Sequence, residues 1–353
     1  MTTTKGMVFL NDQAWKTLKT TLKNLNPTRI FILVDENTER ECLPYLRKHF
    51  TDKTPFSLIR IPSGERYKNL DTCLSVWKTL SENGADRKSL VINLGGGVVT
   101  DLGGFAASTF MRGISFINIP TSLLAMVDAS VGGKTGIDLD HLKNQIGVIE
   151  LPEMVVIDTK FLQTLPKNQL LSGFAEMIKH SLIDGEESWN EIRTFDPNTI
   201  LKQSEFLRKS IEIKEKIVLE DPKEQGKRKL LNFGHTLGHA IESHFLNSKT
   251  KTPLLHGEAI AIGMILASYL SYEICKFPKT KVHEISTYIL SLFSKQKFSE
   301  KDIQSIIKLM SFDKKNRGGK VLFVLMEDFG SFKTDCVADN PLIIKAFEFY
   351  RDF

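Results

Sequence analysis

Residues 89–105 read SLVINLGGGVVTDLGGF and join an apolar strand to an apolar helix through three consecutive glycines. Glycines in such a turn permit positive φ and close backbone approach, and the first N–H groups of the helix can bind a pyrophosphate. The dinucleotide fingerprint GxGxxG is incomplete, because Thr100 stands where its last glycine would be. Two interpretations stay open for this stretch alone, namely nucleotide binding and an ordinary tight turn.

Further strands flank this stretch. Residues 29–34 (RIFILV) and 115–119 (SFINI) are short apolar runs, and residues 71–83 between them have a helical pattern. Strands separated by helices predict a Rossmann-like α/β domain with a parallel sheet that binds its ligands at the carboxyl ends of the strands. We place this domain at residues 1–165.

The strand pattern disappears from about residue 166. We therefore predict an all-α C-terminal domain over residues 166–353. Its predicted helices cover residues 172–183, 200–220, 229–245, 257–274 and 282–293.

Composition excludes several protein classes. The 353 residues are 41% hydrophobic and 25% charged, which is typical of soluble globular proteins and excludes dominant disorder. The longest apolar stretch, residues 259–270, is short for a membrane span, and the N-terminus lacks a signal-peptide core. Four cysteines without CxxC spacing predict reduced thiols. A cytoplasmic protein with no membrane partner is expected.

The net charge of +5 comes from Lys and Arg interspersed with acids. Nucleic-acid binders usually show a basic stripe interleaved with aromatic residues, and this sequence has no such stripe. The charge pattern therefore predicts a small anionic substrate rather than nucleic acid.

Two further loops carry polar residues. Asp35 and Asn37 follow the first predicted strand, where an acidic residue can bind ribose hydroxyls or merely cap a helix. Residues 120–135 end in GGKT, but Asp128 replaces the first glycine of a phosphate-binding loop. An ATPase is therefore disfavoured.

A group of metal-binding residue types lies in the second half. His235 and His239 are four residues apart, so a helix points both rings the same way. Thr236 stands where a thermolysin-like metalloprotease needs Glu. His256 and Glu176 complete a set of two or three histidines and one carboxylate, which is typical of a catalytic zinc with an open coordination position.

The alternative is that these residues have structural roles. Glu176 can pair with Lys179 one helical turn away. His244 lies on the opposite helix face from His235 and is expected to be a core or surface residue. The same expectation applies to His49, His141, His180 and His283.

Several segments in fixed order resemble one family. They are SGERYK (63–68), GGGVVTD (95–101), PTSLLAMVDASVGGKTGI (120–137), LNFGHTLGHAIE (231–242), HGEAIAIGM (256–264) and DKKN (313–316). Together they resemble the 3-dehydroquinate synthase family of sugar-phosphate cyclases. The sequence departs from the family pattern at Thr100, usually Gly, and at Ser122, usually Thr.

The resemblance implies NAD and a divalent metal, zinc with cobalt as a substitute, in a cleft between the two domains. The implied zinc ligands are Glu176, His235 and His256, and His239 becomes an acid–base or phosphate-contacting residue. A homodimer is also implied, in which Arg112 reaches the site of the partner subunit.

The resemblance further assigns contacts to the cofactor and to the substrate. The NAD contacts are Asp35, Asn37, Ser63, Gly64, Glu65, Arg66, Tyr67, Lys68, Gly97, Val98, Val99, Thr100, Asp101, Thr121, Ser122, Asp128, Lys134, Lys143, Phe161, Leu162, Gln163 and Thr164. The substrate contacts and catalytic residues are Arg112, Lys134, Asn144, Lys179, Lys214, Arg228, Asn232, His239 and one of Lys314 or Lys315.

The implied activity converts 3-deoxy-D-arabino-heptulosonate 7-phosphate to 3-dehydroquinate and phosphate. It proceeds by transient oxidation with NAD, β-elimination, reduction and intramolecular aldol closure, in the shikimate pathway of aromatic amino acid biosynthesis. Competing hypotheses are a metal-dependent polyol dehydrogenase of the glycerol type, another sugar-phosphate cyclase and a catalytically inactive scaffold.

Overall fold

The structure is a computed structural model that describes residues 4–50, 54–140, 142–310 and 321–353. The chain divides into two units, Met1–Pro166 and Lys167–Phe353. His141 and the DKKN segment (313–316), which contains Lys314 and Lys315, lie outside the described residues.

The first unit is built on a parallel sheet. Its strands are β1 (Val8–Leu10), β2 (Ile30–Asp35), β3 (Ser57–Ile61), β4 (Leu90–Gly95), β5 (Ser115–Pro120), β6 (Lys134–Leu139), β7 (Leu142–Ile149) and β8 (Val155–Ile157). Its helices are α1 (Asn11–Leu25), α2 (Glu36–Glu41), α3 (Leu43–Arg47), α4 (Leu70–Glu82) and α5 (Gly97–Thr109). Six strands pair in the order β1-β8-β5-β4-β2-β3, all parallel, while β6 and β7 form an antiparallel hairpin.

The strand order sets the position of a binding crevice. From β2 the chain moves to β3 on one side, and β4 then pairs with the other side of β2. In open α/β sheets such a reversal opens a crevice at the carboxyl ends of the two diverging strands. The ends of β2 and β4 are therefore the expected ligand-binding place in this unit.

The predicted strands of the first unit are present, each ending one residue later than expected. Strands β2, β4 and β5 are almost continuously buried, which explains their unbroken apolar sequences. Strands β1, β3 and β8 were not predicted, because they are only three to five residues long. The β6–β7 hairpin was also not predicted.

Of the two properties that the sequence suggests for Gly95, Gly96 and Gly97, the structure uses close backbone approach and not positive φ. Gly96 has φ −73° and ψ −170°, and Gly95 and Gly97 also lie outside the positive-φ region. A Cβ on Gly95 would lie 2.5 Å from the Cβ of Val99. The turn therefore needs glycine because α5 begins directly against the end of its strand.

The second unit consists mainly of helices. They are α6 (Lys167–Asp184), α7 (Glu186–Ile192), α8 (Ser204–Glu220), α9 (His235–Leu246), α10 (His256–Cys275), α11 (Lys279–Leu292), α12 (Glu300–Met310) and α13 (Asn340–Asp352). Strands β9 (Leu322–Asp328) and β10 (Ser331–Val337) add an antiparallel hairpin that the all-α prediction did not include. A short apolar run such as that of β9 does not distinguish a strand from a buried helix.

Helix α10 is the central helix of this unit. It is long and apolar enough to cross a membrane, but 67% of its most apolar 18-residue window is buried inside the protein. It packs against α6, α9, α11, α13 and β9. Burial by neighbouring elements on all these sides identifies it as a core helix.

The packing of α5 on the sheet leads to a first prediction. A Cβ on Gly103 would lie 2.0 Å from Asn93 Oδ1 and 2.6 Å from Leu33 Cδ2. Gly103→Ala should therefore destabilise the protein by about 1–3 kcal/mol, although alanine favours a helix by about 1 kcal/mol. Urea unfolding followed by circular dichroism measures the change in midpoint. Gly97→Ala is the matched control, because its Cβ would meet only Ala129 at an ordinary 3.4 Å. Equal midpoints for the two variants would contradict this account of the packing.

Candidate nucleotide and metal sites

Most residues that the resemblance assigns to NAD lie at one edge of the first sheet. They follow five parallel strands: Asp35 and Asn37 after β2, residues 63–68 after β3, residues 97–101 after β4, Thr121 and Ser122 after β5, and residues 161–164 after β8. Parallel strands have their carboxyl ends at the same edge, so the fold brings these loops together.

The N-terminus of α5 has the features of a pyrophosphate site. Gly96 is the residue that precedes the helix, so no side chain occupies the first N–H groups. Thr100 fits into the first turn, because its hydroxyl donates to the carbonyl oxygens of Gly96 (3.3 Å) and Gly97 (3.2 Å). The departure from glycine at Thr100 thus leaves the helix start intact.

Two of the polar residues at this edge have structural contacts of their own. Asp35 caps α2, because its Oδ1 accepts from the N–H of Thr38 at 2.8 Å. This contact is the capping role named as an alternative, and it uses one of the two carboxylate oxygens. Ser122 Oγ accepts from the N–H of Ala125 at 3.3 Å.

A buried lysine connects several predicted residues. Lys68 Nζ donates to Asp101 Oδ2 and to Asn144 Oδ1, both at 2.6 Å. Lys143 Nζ donates to Glu65 Oε1, also at 2.6 Å. Residues that the resemblance divides between cofactor and substrate are therefore joined by direct hydrogen bonds.

Asp138 belongs to the same network and was missed by the sequence analysis. Its Oδ1 accepts from the N–H of Asn144 at 2.7 Å, and its own N–H donates to the Lys68 carbonyl at 2.8 Å. No local pattern marks Asp138, because it meets these partners only when the β6–β7 hairpin forms.

The carboxylates of this network stabilise its cation, while burial keeps the pKa of Asp101 above its ordinary value. Burial lowers the pKa of Lys68, but the carboxylates of Asp101, Glu65 and Asp138 outweigh it, so the pKa of Lys68 is raised. Burial raises the pKa of Asp101, and Lys68 opposes that effect. Lys68 is consequently a cation at neutral pH, held next to the first turn of α5.

Three further predicted residues of this unit lie on other elements. Asp128 is in a π-helical turn over Ala125–Ala129. Lys134 is the first residue of β6 and pairs with Ile149, at the end of the hairpin distant from Asn144. Arg112 precedes β5, so it lies at the amino edge of the sheet, opposite the nucleotide loops.

The turn that carries Arg112 has an unusual backbone. Met111, Arg112 and Gly113 have successive φ values of 50°, 69° and 109°. Left-handed conformations cost a residue with a side chain about 1–2 kcal/mol. The turn holds the Arg112 side chain exposed at the surface of this chain.

The metal-binding residue types of the second unit converge from three helices. Glu176 lies within α6, while His235 and His256 are the first residues of α9 and α10. Glu176 Oε1 is 3.6 Å from His235 Nε2 and 3.7 Å from His256 Nε2. Two ligands of a tetrahedral zinc ion, each at about 2.1 Å, lie about 3.4 Å apart, so this donor set fits a zinc-sized ion.

His239 joins the same cluster. The metal-binding nitrogen atoms of His235, His239 and His256 all lie within 4.8 Å of one another. The structure therefore brings together both the pair found by spacing and the three ligands implied by the resemblance.

Two histidine rings are fixed through Nδ1. His235 Nδ1 lies 3.1 Å from the Phe233 carbonyl oxygen, and His256 Nδ1 lies 3.0 Å from Glu242 Oε2. Burial lowers the pKa of His256, but Glu242 and Glu176 outweigh it and raise the pKa to about 10. The two carboxylates favour a positive charge at this place, as a metal ion would provide.

Glycines allow the three helices to approach. Gly257 N–H donates to Ser172 Oγ at 2.9 Å, and a Cβ on Gly257 would lie 1.9 Å from the Ser172 carbonyl oxygen. A Cβ on Gly263 would lie 2.1 Å from the Gly234 carbonyl oxygen. Helix α10 is thus in backbone contact with α6 at one glycine and with the start of α9 at the other.

Basic residues assigned to the substrate are buried in this unit. Lys179, Lys214 and Arg228 are 1%, 6% and 1% exposed, which is unusual for cations. Lys179 forms an ion pair with Glu176, as the alternative interpretation anticipated. Arg228 donates to the Pro222 carbonyl oxygen at 2.7 Å.

Three other residues of the second unit that the sequence analysis named have hydrogen-bond partners within this unit. Asn232 Nδ2 donates to Glu224 Oε1 at 2.6 Å. His244 Nε2 lies 2.8 Å from Asp302 Oδ1, and His180 Nδ1 lies 2.8 Å from Ser210 Oγ. His244 is thereby held on the other side of α9 from the metal cluster.

Comparison with protein families gives two matches that together cover most of the chain. A family described as 3-dehydroquinate synthase N-terminal matches residues 58–172, and one described as 3-dehydroquinate synthase C-terminal matches residues 173–316. A 3-dehydroquinate synthase from Parabacteroides distasonis is 42% identical over 334 residues, which cover 94% of each chain.

Solved structures of sugar-phosphate cyclases share the fold. A 2-deoxy-scyllo-inosose synthase complexed with carbaglucose-6-phosphate, NAD+ and Co2+ has a TM-score of 0.82 at 24% identity, covering 99% of each chain. A 2-epi-5-epi-valiolone synthase from Streptomyces hygroscopicus with NAD+ and Zn2+ bound has a TM-score of 0.84 at 24% identity, covering 98% of this chain and 96% of that one. These similarities confirm the predicted fold class.

The contact between α10 and α6 generates a second prediction. Gly257→Ala should force the start of α10 away from Ser172 and so separate His256 from Glu176. We expect at least a tenfold loss of zinc affinity and a destabilisation of about 1–3 kcal/mol. Zinc retained after dialysis against a graded chelator series measures the affinity.

Ser172→Ala is the matched variant for this contact. It removes the hydrogen bond to Gly257 but not the space, so its cost should be only about 1 kcal/mol, with zinc retained. Zinc affinity of Gly257→Ala equal to that of the unmodified protein would show that the helix contact does not position the ligands.

Proposed function

The chain belongs to the 3-dehydroquinate synthase family, and we propose that it performs this family's reaction with NAD and a divalent metal held by the residues of its two units. The family matches confirm the resemblance found in the sequence. The enzyme is a phosphorus–oxygen lyase that converts 3-deoxy-D-arabino-heptulosonate 7-phosphate to 3-dehydroquinate and phosphate. The observation that carries the assignment of the metal is the convergence of Glu176, His235 and His256 from three helices.

The cofactor and the metal have separate residues in this proposal. The first turn of α5 would hold the pyrophosphate of NAD, and Glu176, His235 and His256 would hold the metal. When bound, NAD exchanges a hydride with one carbon of the substrate while the metal stabilises the oxygen on that carbon. Substrate binding and proton transfer are assigned to side chains of this protein.

The substrate carries a carboxylate and a phosphate, so it needs cationic partners. Lys179, Lys214 and Arg228 are basic side chains fixed in the interior of the second unit. Charge-assisted hydrogen bonds from such groups are shorter and stronger than neutral ones. We assign to them the binding of the anionic groups, which orients the substrate for loss of phosphate and for ring closure.

His239 is assigned the handling of protons. It lies one helical turn after His235 and is partly exposed, while its ring lies 5.1 Å from that of His235, centroid to centroid. An imidazole in this position can exchange a proton with a substrate held at the metal site. This role keeps His239 beside the metal without making it a ligand.

The competing hypotheses have weaker support. A polyol dehydrogenase of the glycerol type has no need for buried cations directed at two anionic groups. The related cyclases with solved structures are only 24% identical, whereas the Parabacteroides distasonis synthase is 42% identical over 94% of each chain. Glu176, His235 and His256 are all retained, which argues against an inactive scaffold.

Cytoplasmic location is part of the proposal. It is supported by the spacing of the four cysteines, which predicts reduced thiols. The substrate of such an enzyme is a small sugar phosphate, and neither a membrane nor a nucleic acid is needed for its activity.

We further propose that the active form is a homodimer in which Arg112 acts on the site of the partner subunit. The support is the position of Arg112 at the amino edge of the sheet, whereas the nucleotide loops of the same chain lie at the carboxyl edge. The exposed side chain of Met111 beside it would be buried in such an interface.

The proposed activity is tested by phosphate release from the heptulosonate phosphate. We expect release to require both NAD and metal, with no net accumulation of NADH. Chelation should abolish activity, and zinc or cobalt should restore it. His235→Ala and Glu176→Ala should lose bound metal, whereas His239→Ala should retain metal and turn over slowly.

Each outcome separates the hypotheses. Stoichiometric NADH formation without phosphate release would favour a polyol dehydrogenase. Full activity in metal-free protein would refute the metal site. If His239→Ala lost metal as completely as His235→Ala, the histidine pair four residues apart would belong to the ligand set.

The dimer proposal predicts complementation between two inactive variants. Arg112→Ala and His239→Ala chains, mixed equally and allowed to exchange subunits, should regain about a quarter of the unmodified activity, because half of the dimers are mixed and each has one complete site. Activity assays before and after exchange measure the recovery. No recovery despite demonstrated exchange would mean that each site is built from a single chain.

A further inference from the structure

Glu242 is a buried acidic residue that the sequence analysis did not assign to any site. It is only 4% exposed, although a glutamate is rarely buried without a partner. Its Oε2 lies 3.0 Å from His256 Nδ1, which is a hydrogen-bonding distance. The carboxylate thus contacts a proposed metal ligand on the side away from the metal.

The position of Glu242 on α9 explains the contact. It follows His235 by seven residues and His239 by three, so all three side chains lie on one face of the helix. His235 is at the start of this face, beside Glu176, and Glu242 lies two turns further along. One helix therefore supplies a ligand and also holds the ligand that begins α10.

The contact fixes the chemical form of His256. A carboxylate accepts a proton but has none to donate when ionised, so Nδ1 of His256 is the nitrogen that carries the hydrogen. Nε2 is then the nitrogen at which a metal ion would replace a proton, and this atom is the one that lies 3.7 Å from Glu176 Oε1. The contact with Glu242 thus turns the ring so that Nε2, the nitrogen that would bind a metal, faces Glu176.

His235 shows the same arrangement with a different acceptor. Its Nδ1 lies 3.1 Å from the carbonyl oxygen of Phe233, which is neutral. The acceptor of His256 is a carboxylate, which increases the basicity of the ring more than a carbonyl does. The two histidines are therefore oriented in the same way. Metal binding by His256 depends on a nearby carboxylate at its Nδ1, whereas metal binding by His235 does not.

We propose that Glu242 is a positioning residue for the metal, which acts by orienting His256 and strengthening the electron donation of its Nε2. The inference rests on the proposed function to the extent that Glu176, His235 and His256 bind a metal. It adds Glu242, two helical turns after His235, as a residue that affects metal affinity without coordinating the metal itself.

The test compares zinc affinity in Glu242→Gln, Glu242→Ala and the unmodified protein, without NAD or substrate. Competition with a chromophoric chelator measures the affinity. We expect Glu242→Ala to bind zinc about 10- to 100-fold more weakly. Glu242→Gln keeps the shape and one acceptor oxygen, so its loss should be smaller. Glu205→Gln, at an exposed glutamate of α8, is the control and should bind as the unmodified protein does.

A second measurement distinguishes positioning from a general structural role. Cobalt-loaded protein absorbs visible light according to the geometry and strength of its ligands. The cobalt bands of Glu242→Gln should shift relative to those of the unmodified protein, while Glu205→Gln should leave them unchanged. Glu242→Gln is nearly isosteric, so it keeps the test valid should Glu242→Ala fail to fold.

The outcomes separate this inference from the proposed function. If the unmodified protein binds no zinc or cobalt, the metal site itself is wrong. If it binds zinc and both Glu242 variants bind with equal affinity and unchanged cobalt bands, the positioning role of Glu242 is overturned and the metal site stands. Weaker binding with shifted bands supports the role.

Discussion

The cluster of candidate metal ligands, Glu176, His235 and His256, depends on helices that touch through their backbones. Helix α10 meets α6 at Gly257 and the start of α9 at Gly263, where any Cβ would come within about 2 Å of a carbonyl oxygen. Side chains as short as Glu and His can share one ion only if the helices that carry them are this close. The glycines therefore determine the ligand distances, even though they bind nothing themselves.

The first unit follows the same rule. Gly95 lets α5 start directly at the end of β4, and Gly103 lets the helix lie against Asn93 of the sheet. The free N–H groups of α5 are thereby brought to the edge where the other strands also end. Lys68, hydrogen bonded to Asp101 in the first turns of α5, adds a fixed positive charge at that edge.

Sequence patterns predicted the elements that short stretches of sequence mark by themselves. The apolar runs of β2, β4 and β5 and the helical spacing of His235 and His239 are visible in short windows. Sequence did not show which property of glycine is used at Gly95, because it does not distinguish a glycine needed for its dihedral angles from one needed for space. Contacts between distant residues were also missed, as for Glu242, whose partner His256 lies on another helix. The hairpin of β9 and β10 was missed because the periodicity of its short apolar run does not distinguish a strand from a helix.

The origin of the proposed ligands from three separate helices has a consequence for how the protein is made. Glu176, His235 and His256 are far apart in the chain, and the last of them is synthesised only after α6 and α9. A nascent chain that ends before α10 has an incomplete donor set, so it cannot hold the ion tightly. Tight binding of an ion by these proposed ligands therefore requires synthesis to proceed beyond α9, and it would stabilise the second unit once that unit has folded.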